Sequence, residues 1–242
     1  MRRSGRDLLS LALIDSRNCT LHRFSVFEPS LQVPQTAELN PPLWELGHVG
    51  WFQEYWIGRN VDRHRGAAAD RTRPRLGSIE PRADLLYDSI HVAHDERWSL
   101  DLPEPEATRA YLVETLESTL DMLEHAPETD DALYFFRLAL FHEDMHAEAF
   151  ASMAQTVGLP MPELSWPAPV AQRPAVGVSA TRWVLGSPNG AGFVFDNEKC
   201  AHELHVPEFE IDAQPVTWAQ YVEFIEDGGY DEPLWWSADG WA

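Results

Sequence analysis

The segment TDDALYFFRLALFHEDMHAEAFASMAQTVG (residues 129–158) is the longest periodic stretch of the chain, and it limits the possible folds more than any other feature. Its apolar residues recur at the three- and four-residue spacing of one helix face, and Gly158 supplies a helix stop. Two histidines four positions apart lie on that face, one turn above each other. The face comprises Phe135, Leu138, Ala139, His142, His146, Ala149 and Met153. A long helix with one continuous apolar face predicts a helical bundle that buries it.

Four earlier segments also have the pattern of helices. They are residues 5–28, a segment that begins with Asn40 as its cap, residues 83–98 and residues 105–125. Asparagine is a good N-cap, and the prolines that follow Asn40 are tolerated in the first turn of a helix. We therefore assign residues 1–160 to a helical bundle.

The composition changes after residue 160. Residues 161–179 are rich in proline and small residues, as expected of a linker between domains. From residue 180 to 242, short runs such as RWVLG, GFVF and ELHVPEFEI are separated by turn residues. Thr217 and Gln220 form the capping-box pattern at the start of a helix that Gly228 ends. The sequence predicts a fold of the class α + (α+β), in which a helical bundle precedes a small α+β domain.

A third histidine lies on an apolar face of the second predicted helix. His48 shares this face with Trp44, Trp51 and Tyr55, and the neighbouring Gly47 would let another helix approach closely. Buried imidazoles need partners for their nitrogens, because an unpaired buried polar group costs roughly 1–3 kcal/mol. A metal ion shared by His48, His142 and His146 would supply those partners and keep coordination positions open.

Several alternatives to this metal site remain. Each histidine could instead be a core residue with hydrogen-bond partners in the protein. His91 or His94, on the predicted third helix, could be the third ligand or support one. Glu143 and Asp144 lie off the histidine face and are interpreted as solvent-facing. Three neutral histidines suit Zn(II), whereas non-haem iron sites usually include a carboxylate, so spacing alone favours zinc.

The charge distribution argues against nucleic acid as a partner. Residues 76–242 hold 7 basic residues against 31 acidic ones, which would repel phosphate backbones. No run of apolar residues is long enough to predict a membrane span. The N-terminus lacks the cleavage site of a signal peptide, and the 2 cysteines give no disulfide framework. We therefore expect a cytoplasmic protein.

An arginine-rich loop, RNVDRHRGAAADRTRPRLG (residues 59–77), allows two interpretations. Charged runs are usually solvated connectors. Alternatively, Arg73 and Arg75 could bind the carboxylate of a substrate, since guanidinium groups pair well with carboxylates.

Four stretches of the chain, together with their order, resemble the ergothioneine-type sulfoxide synthases, a family with ovothiol-pathway and selenoneine-forming relatives. The stretches are PPLWELGHVGWFQEYWIGRN, LLYDSIHVAHDERWSLDLP, FHEDMHAEAF and GFVFDNEKCAHELHVPEFEIDAQPVTWAQYVEFIEDGGY. The resemblance implies a DinB-like helical bundle followed by a formylglycine-generating-enzyme-like, C-type-lectin-like domain. It covers the chain from about residue 6 to its last residue.

The resemblance also implies a function. It implies a non-haem Fe(II) held by His48, His142 and His146, with O2 as co-substrate. The implied reaction joins a cysteine-type thiol, or a selenol, to the imidazole of histidine or of its trimethylated form, hercynine, and yields a sulfoxide. Resemblance, and not spacing, therefore favours iron over zinc.

The sequence departs from the family pattern in three places. Met145 occupies a position where the ergothioneine enzymes commonly have a glutamine that helps to hold the histidine-type substrate. Trp218 replaces an asparagine of the relatives. The formylglycine-generating-enzyme-like domain of the relatives continues past residue 242, so that we expect this domain to be incomplete here and the catalytic tyrosine to lie beyond residue 242. Two other functions stay open: a zinc-dependent thiol transferase or hydrolase on the same bundle, and a non-catalytic binding module.

Overall fold

A computed structural model describes residues 1–161, 171, 173–188 and 192–241 of the chain. Its spatial contacts divide the chain into two units, Met1–Ser165 with Ser187–Cys200, and Trp166–Gly186 with Ala201–Ala242. The first unit is helical and the second mixes small sheets with helices. Within the described residues, no helix combines the length and the apolar character that crossing a membrane requires.

The described residues of the first unit form five α-helices. They are α1 (Arg6–Phe24), α2 (Pro42–Gln53), α3 (Ala83–Tyr87), α4 (Pro105–Glu124) and α5 (Asp130–Thr156). A π-helical turn, Glu54–Gly58, extends α2, and short 3-10 turns follow at Ser25–Phe27, Arg63–Ala68, His94–Ser99 and Asp196–Glu198. Helix α5 packs against α1 and α2, and α2 packs against α4. The predicted helices 105–125 and 129–158 are confirmed, because α4 and α5 occupy them.

Capping explains where α5 begins and ends. The Thr129 side chain accepts a hydrogen bond from the backbone N–H of Ala132, and two aspartates occupy the first turn, where the helix dipole favours negative charge. Gly158 has a φ of +72°, the left-handed conformation that glycine adopts without strain after a helix. Aromatic and aliphatic side chains then fill the space between α5 and its neighbours, as in the contact of Phe150 with Phe24 and Phe27.

The prediction for residues 83–98 was wrong in its extent. Helix α3 ends at Tyr87, and the chain then turns before the 3-10 segment His94–Ser99. The Asp88 side chain accepts a hydrogen bond from the N–H of Ile90 and contacts the His91 ring, which gives the backbone an alternative to the helix. The second helix also starts differently: its N-cap is Pro41, while the Asn40 side chain binds Glu45.

In the second unit, the part of the chain that the structure describes forms two two-stranded antiparallel sheets. Strand β1 (Val176–Val178) pairs with β4 (Phe209–Ile211), and β2 (Thr181–Leu185) pairs with β3 (His202–Val206). Helices α6 (Trp218–Glu226) and α7 (Ala238–Trp241) follow, with a 3-10 turn at Pro233–Trp235 between them. The capping box of Thr217 and Gln220 is formed at the start of α6, as predicted.

One segment is grouped differently from the predicted domains. Residues 187–200 fall in the first unit, although the sequence analysis placed them in the second domain. The physical reason is aromatic packing, since Phe193 and Phe195 contact Phe141 of α5, and Phe193 also contacts Tyr134. Most of the predicted linker, residues 162–170 and 172, lies outside the described residues, and the predicted domain boundaries stay a prediction.

Candidate metal centre

Three histidines from two helices converge inside the helical unit. His48 comes from α2, and His142 and His146 come from successive turns of α5. One potential ligand atom from each residue lies within 4.8 Å of the other two. The Nε2 atoms of His142 and His146 are 3.0 Å apart. The structure therefore brings together all three predicted ligands.

The other ring nitrogen of each histidine has a different environment. His48 Nδ1 lies 2.7 Å from the Tyr87 carbonyl oxygen, which only accepts, so this nitrogen carries the proton. His146 Nδ1 lies 2.5 Å from Glu45 Oε1. His142 Nδ1 is buried without a hydrogen-bond partner, and its ring stacks on Phe52 with ring centroids 3.5 Å apart. Nε2 of His48 is therefore free to bind a metal.

Burial keeps two of the imidazoles neutral. His48 is 4% exposed and His142 is 9% exposed. Burial, together with the neighbouring His146, lowers the pKa of His48 to about 4. The same two causes hold the pKa of His142 well below its ordinary value. At neutral pH both rings thus offer a lone pair instead of a positive charge.

This donor set fits a divalent transition-metal ion. Imidazole nitrogens bind zinc at about 2.0–2.1 Å, so two of them on one ion lie about 3.0 Å apart at a right angle and about 3.4 Å apart at a tetrahedral angle. The His142 and His146 Nε2 atoms are 3.0 Å apart, at the lower end of this range. Three protein ligands leave coordination positions open, as catalytic sites require. The donor atoms suit both iron and zinc.

The rival histidines of the sequence analysis lie elsewhere. Because α3 ends at Tyr87, His91 and His94 do not share a helix face. The His91 ring pairs with Asp88 and is largely exposed, and His94 Nε2 contacts the Leu39 carbonyl oxygen at 2.8 Å. Among the described residues, one cluster of three side chains could hold a metal ion, and it consists of His48, His142 and His146.

The predicted substrate-binding residues have separate environments. Met145, next to His146 in sequence, is 50% exposed. Arg73 forms an ion pair with Asp62 at 2.7 Å. The Arg75 guanidinium lies over the rings of Tyr55 and Trp56, and its Nε and Nη2 atoms are buried without a hydrogen-bond partner.

Two residues near the histidines were missed or misread in the sequence. Glu45 was not considered, although it precedes His48 by three positions, a spacing that places both side chains on the same side of the helix. Glu143 was interpreted as solvent-facing, which is wrong: it is 2% exposed and forms a buried ion pair with Arg17. Asp144 is exposed, as expected, and accepts a hydrogen bond from the Ser16 hydroxyl.

An aromatic cavity of about 190 Å³ lies in the same unit. Phe52, whose ring stacks on His142, forms part of its wall. The other aromatic residues of the wall are Trp56, Tyr134, Phe135, Phe193 and Phe195. The cavity therefore shares one side chain with the environment of the histidines.

Gly47 allows the close approach of Tyr87 that supports His48. A Cβ atom at Gly47 would lie 2.2 Å from Cε1 of the Tyr87 ring. We expect Gly47→Ala to displace this ring and to lower the free energy of unfolding by about 1–3 kcal/mol, the usual cost of overpacking. Urea unfolding followed by circular dichroism measures the change. Gly77→Ala is the control, because a Cβ atom there meets nothing within 4 Å. A Gly47→Ala variant as stable as the wild type would contradict the proposed contact.

Comparison with known proteins first defines the class of the C-terminal part. Residues 168–241 match the family model of the sulfatase-modifying factor enzyme 1-like domain. This match covers nearly all of the second unit together with residues 187–200, and it agrees with the formylglycine-generating-enzyme-like domain expected from the sequence. The fold thus combines a helical unit with this mixed domain.

Comparison over nearly the whole chain then identifies its relatives. Hercynine oxygenase of Mycolicibacterium smegmatis is 33% identical, and the alignment covers 98% of this chain and 54% of that protein. Hercynine oxygenase of Mycolicibacterium thermoresistibile is 32% identical, with 97% and 51% covered. That of Mycobacterium tuberculosis is 30% identical, with 96% and 54% covered. These matches confirm the family resemblance: the chain is homologous to the ergothioneine-type sulfoxide synthases, and it spans about half the length of these curated relatives.

Proposed function

We propose that this chain carries the metal centre of a non-haem Fe(II)- and O2-dependent sulfoxide synthase. The proposed reaction joins a cysteine-type thiol, or the corresponding selenol, to the imidazole of histidine or hercynine. The observation that carries this proposal is the convergence of His48, His142 and His146 within 4.8 Å in a unit homologous to hercynine oxygenases. The finer fold assignments, a DinB-like bundle and a C-type-lectin-like domain, are part of the same proposal, as is a cytoplasmic location.

The three histidines would hold the ion through ring nitrogens, and the residues around them would orient and shield these rings. When bound, Fe(II) would supply the activation of O2 and would hold the thiol and the imidazole close to each other. The Tyr87 carbonyl keeps the His48 proton on Nδ1. Phe52 covers one face of the His142 ring and limits the access of water to it. His146 is the most accessible of the three, with 20% of its side chain exposed, so we propose that the substrates approach from its side.

Arg75 is the better candidate of the two arginines for binding a substrate carboxylate. Arg73 already has a carboxylate partner in Asp62. Arg75 donates one hydrogen bond to Asn60 Oδ1 at 3.1 Å, while two of its nitrogens have none. A buried donor without a partner is costly, and a carboxylate would satisfy both nitrogens at once. We propose that Met145 faces the histidine-type acceptor, as its position beside His146 suggests.

Thiol-dependent consumption of O2 tests the proposed function. The chain is purified without metal, loaded with Fe(II) under anaerobic conditions, and then exposed to O2 with a cysteine-type thiol and hercynine or histidine. We expect O2 uptake that requires iron and thiol. The control is the same protein loaded with Zn(II), which should consume none. Thiol transfer by the zinc protein without O2 uptake would favour a zinc transferase, and binding without any reaction would favour a binding module.

A further inference from the structure

Glu45 is a buried carboxylate that connects the two helices of the histidine cluster. It lies on α2, three positions before His48, and is 1% exposed. Its Oε1 atom contacts Nδ1 of His146, which belongs to α5, at 2.5 Å. Helix α2 therefore contributes both a histidine of the cluster and the partner of a histidine from another helix.

The second oxygen of Glu45 is also held. Glu45 Oε2 accepts a hydrogen bond from Nδ2 of Asn40 at 2.9 Å. The orientation of this amide is fixed in turn, since Asn40 Oδ1 accepts a hydrogen bond from Nη1 of Arg97 at 2.8 Å. A glutamine at position 45 could keep the contact with His146 or the contact with Asn40, but its amide nitrogen would face a donor in one of them.

The contacts of Glu45 define which nitrogen of His146 carries the proton. Its Oε2 atom accepts a hydrogen bond from Asn40, and its Oε1 atom lies at hydrogen-bond distance from Nδ1 of His146. An ionised carboxylate only accepts hydrogen bonds, so the proton between Glu45 and His146 lies on Nδ1 of the imidazole. The lone pair of His146 is then on Nε2, the atom that faces His142.

We infer that Glu45 is a positioning residue that fixes the ring of His146 with Nε2 toward the ion and increases the electron density on that ligand. The inference rests on the proposed metal centre. It makes the three ligands unequal: His146 is supported by a carboxylate, His48 by a neutral carbonyl group and His142 by no hydrogen bond. A carboxylate close to a three-histidine site supplies part of the negative charge that a carboxylate ligand provides in the common iron sites.

Binding of Co(II), a spectroscopic substitute for Fe(II), tests this inference without relying on activity. We expect Glu45→Gln to raise the Kd for Co(II) by about 10–100-fold, the usual effect of losing such a partner. We also expect the d–d absorption bands of bound Co(II) to shift, because the electron density on one ligand changes. Asn40→Ala, which keeps the carboxylate but frees its second oxygen, should have a smaller effect in the same direction.

Glu54→Gln is the matched control. Glu54 is also buried and follows α2, but its oxygens accept hydrogen bonds from Tyr111, Ser78 and the N–H of Ile79 instead of from a histidine. This variant should lower the melting temperature of the metal-free protein and leave both the Kd and the absorption bands unchanged. Circular dichroism of each metal-free variant verifies that it is folded.

The possible outcomes separate this inference from the proposed function. If the wild type binds Co(II) and folded Glu45→Gln binds it with the same Kd and spectrum, Glu45 has no positioning role while the metal centre stands. If Glu45→Gln does not fold, the Kd and the spectrum of Co(II) bound to Asn40→Ala are compared with those of the wild type, and unchanged values would again exclude a positioning role. A wild-type protein that binds no metal would overturn both. Weaker binding and shifted bands in Glu45→Gln, with neither change in Glu54→Gln, would support the inference.

Discussion

His142→Ala is expected to remove tight metal binding and to leave the helical unit folded. The variant loses one of three nitrogen ligands, so the loss of affinity should exceed the roughly 10–100-fold that follows removal of a residue that only supports a ligand. The fold should tolerate the change comparatively well. Nδ1 of His142 has no hydrogen-bond partner to lose, and Nε2 lies at hydrogen-bond distance from the neighbouring His146. The main loss of packing is the stack of the ring on Phe52.

The measurement is an anaerobic Fe(II) titration combined with elemental analysis of the purified protein. His91→Ala serves as the control, because this histidine is largely exposed, pairs with Asp88 and lies outside the cluster. We expect the control to bind one iron per chain, as the wild type does, and His142→Ala to bind none at the same concentration. Equal iron contents in His142→Ala and His91→Ala would show that the cluster is not the binding site.

Glu143→Ala should have the largest effect on stability, because it leaves a buried arginine without its charge partner. Glu143 Oε1 accepts a hydrogen bond from Nε of Arg17 at 2.6 Å, and both side chains are almost fully buried. Breaking such a pair from one side costs about 3–5 kcal/mol. Arg17 would keep the hydrogen bonds that Nη2 donates to Gln53 and Nη1 donates to the Leu112 carbonyl oxygen. Its Nε atom would lose its acceptor, and the charge of the guanidinium would not be neutralised.

Urea unfolding, followed by circular dichroism, measures this loss. The matched control is the adjacent Asp144→Ala, which removes an exposed carboxylate and the hydrogen bond that it accepts from the Ser16 hydroxyl. We expect this control to lower the free energy of unfolding by about 0.5–1.5 kcal/mol. A double variant, Arg17→Met with Glu143→Leu, should recover much of the stability, since apolar replacement of a buried pair is often neutral or stabilising. The interpretation fails if Glu143→Ala is no less stable than Asp144→Ala.

The sequence predicted the parts of the fold that depend on local patterns. The period of α5, its cap and its glycine stop are all encoded within thirty residues, and the same holds for α4. His142 and His146 share a face because both lie on one helix. His48 could be placed with them only because α2 has its own apolar face, and the three rings do lie together in the structure.

Long-range polar contacts could not be predicted in the same way. The burial of Glu143 depends on Arg17, which lies on another helix far away in sequence. Glu45 was missed because a glutamate in the first turn of a helix is normally explained by the helix dipole. The early end of α3 depends on the Asp88 side chain. This early end has a consequence for the site. The carbonyl group of Tyr87, the last residue of α3, is not used by a further helical turn and accepts the hydrogen bond from His48.

The histidines of the cluster come from helices that are widely separated along the chain, with α3 and α4 between them. An ion held by α2 and α5 would therefore act as a reversible cross-link across the helical unit. The unfolded chain cannot offer such a preformed site, so metal binding would add to the apparent folding free energy by mass action. Free metal concentration thus becomes a thermodynamic variable of this fold, and a chelator in the buffer would change its melting curve without altering a single residue.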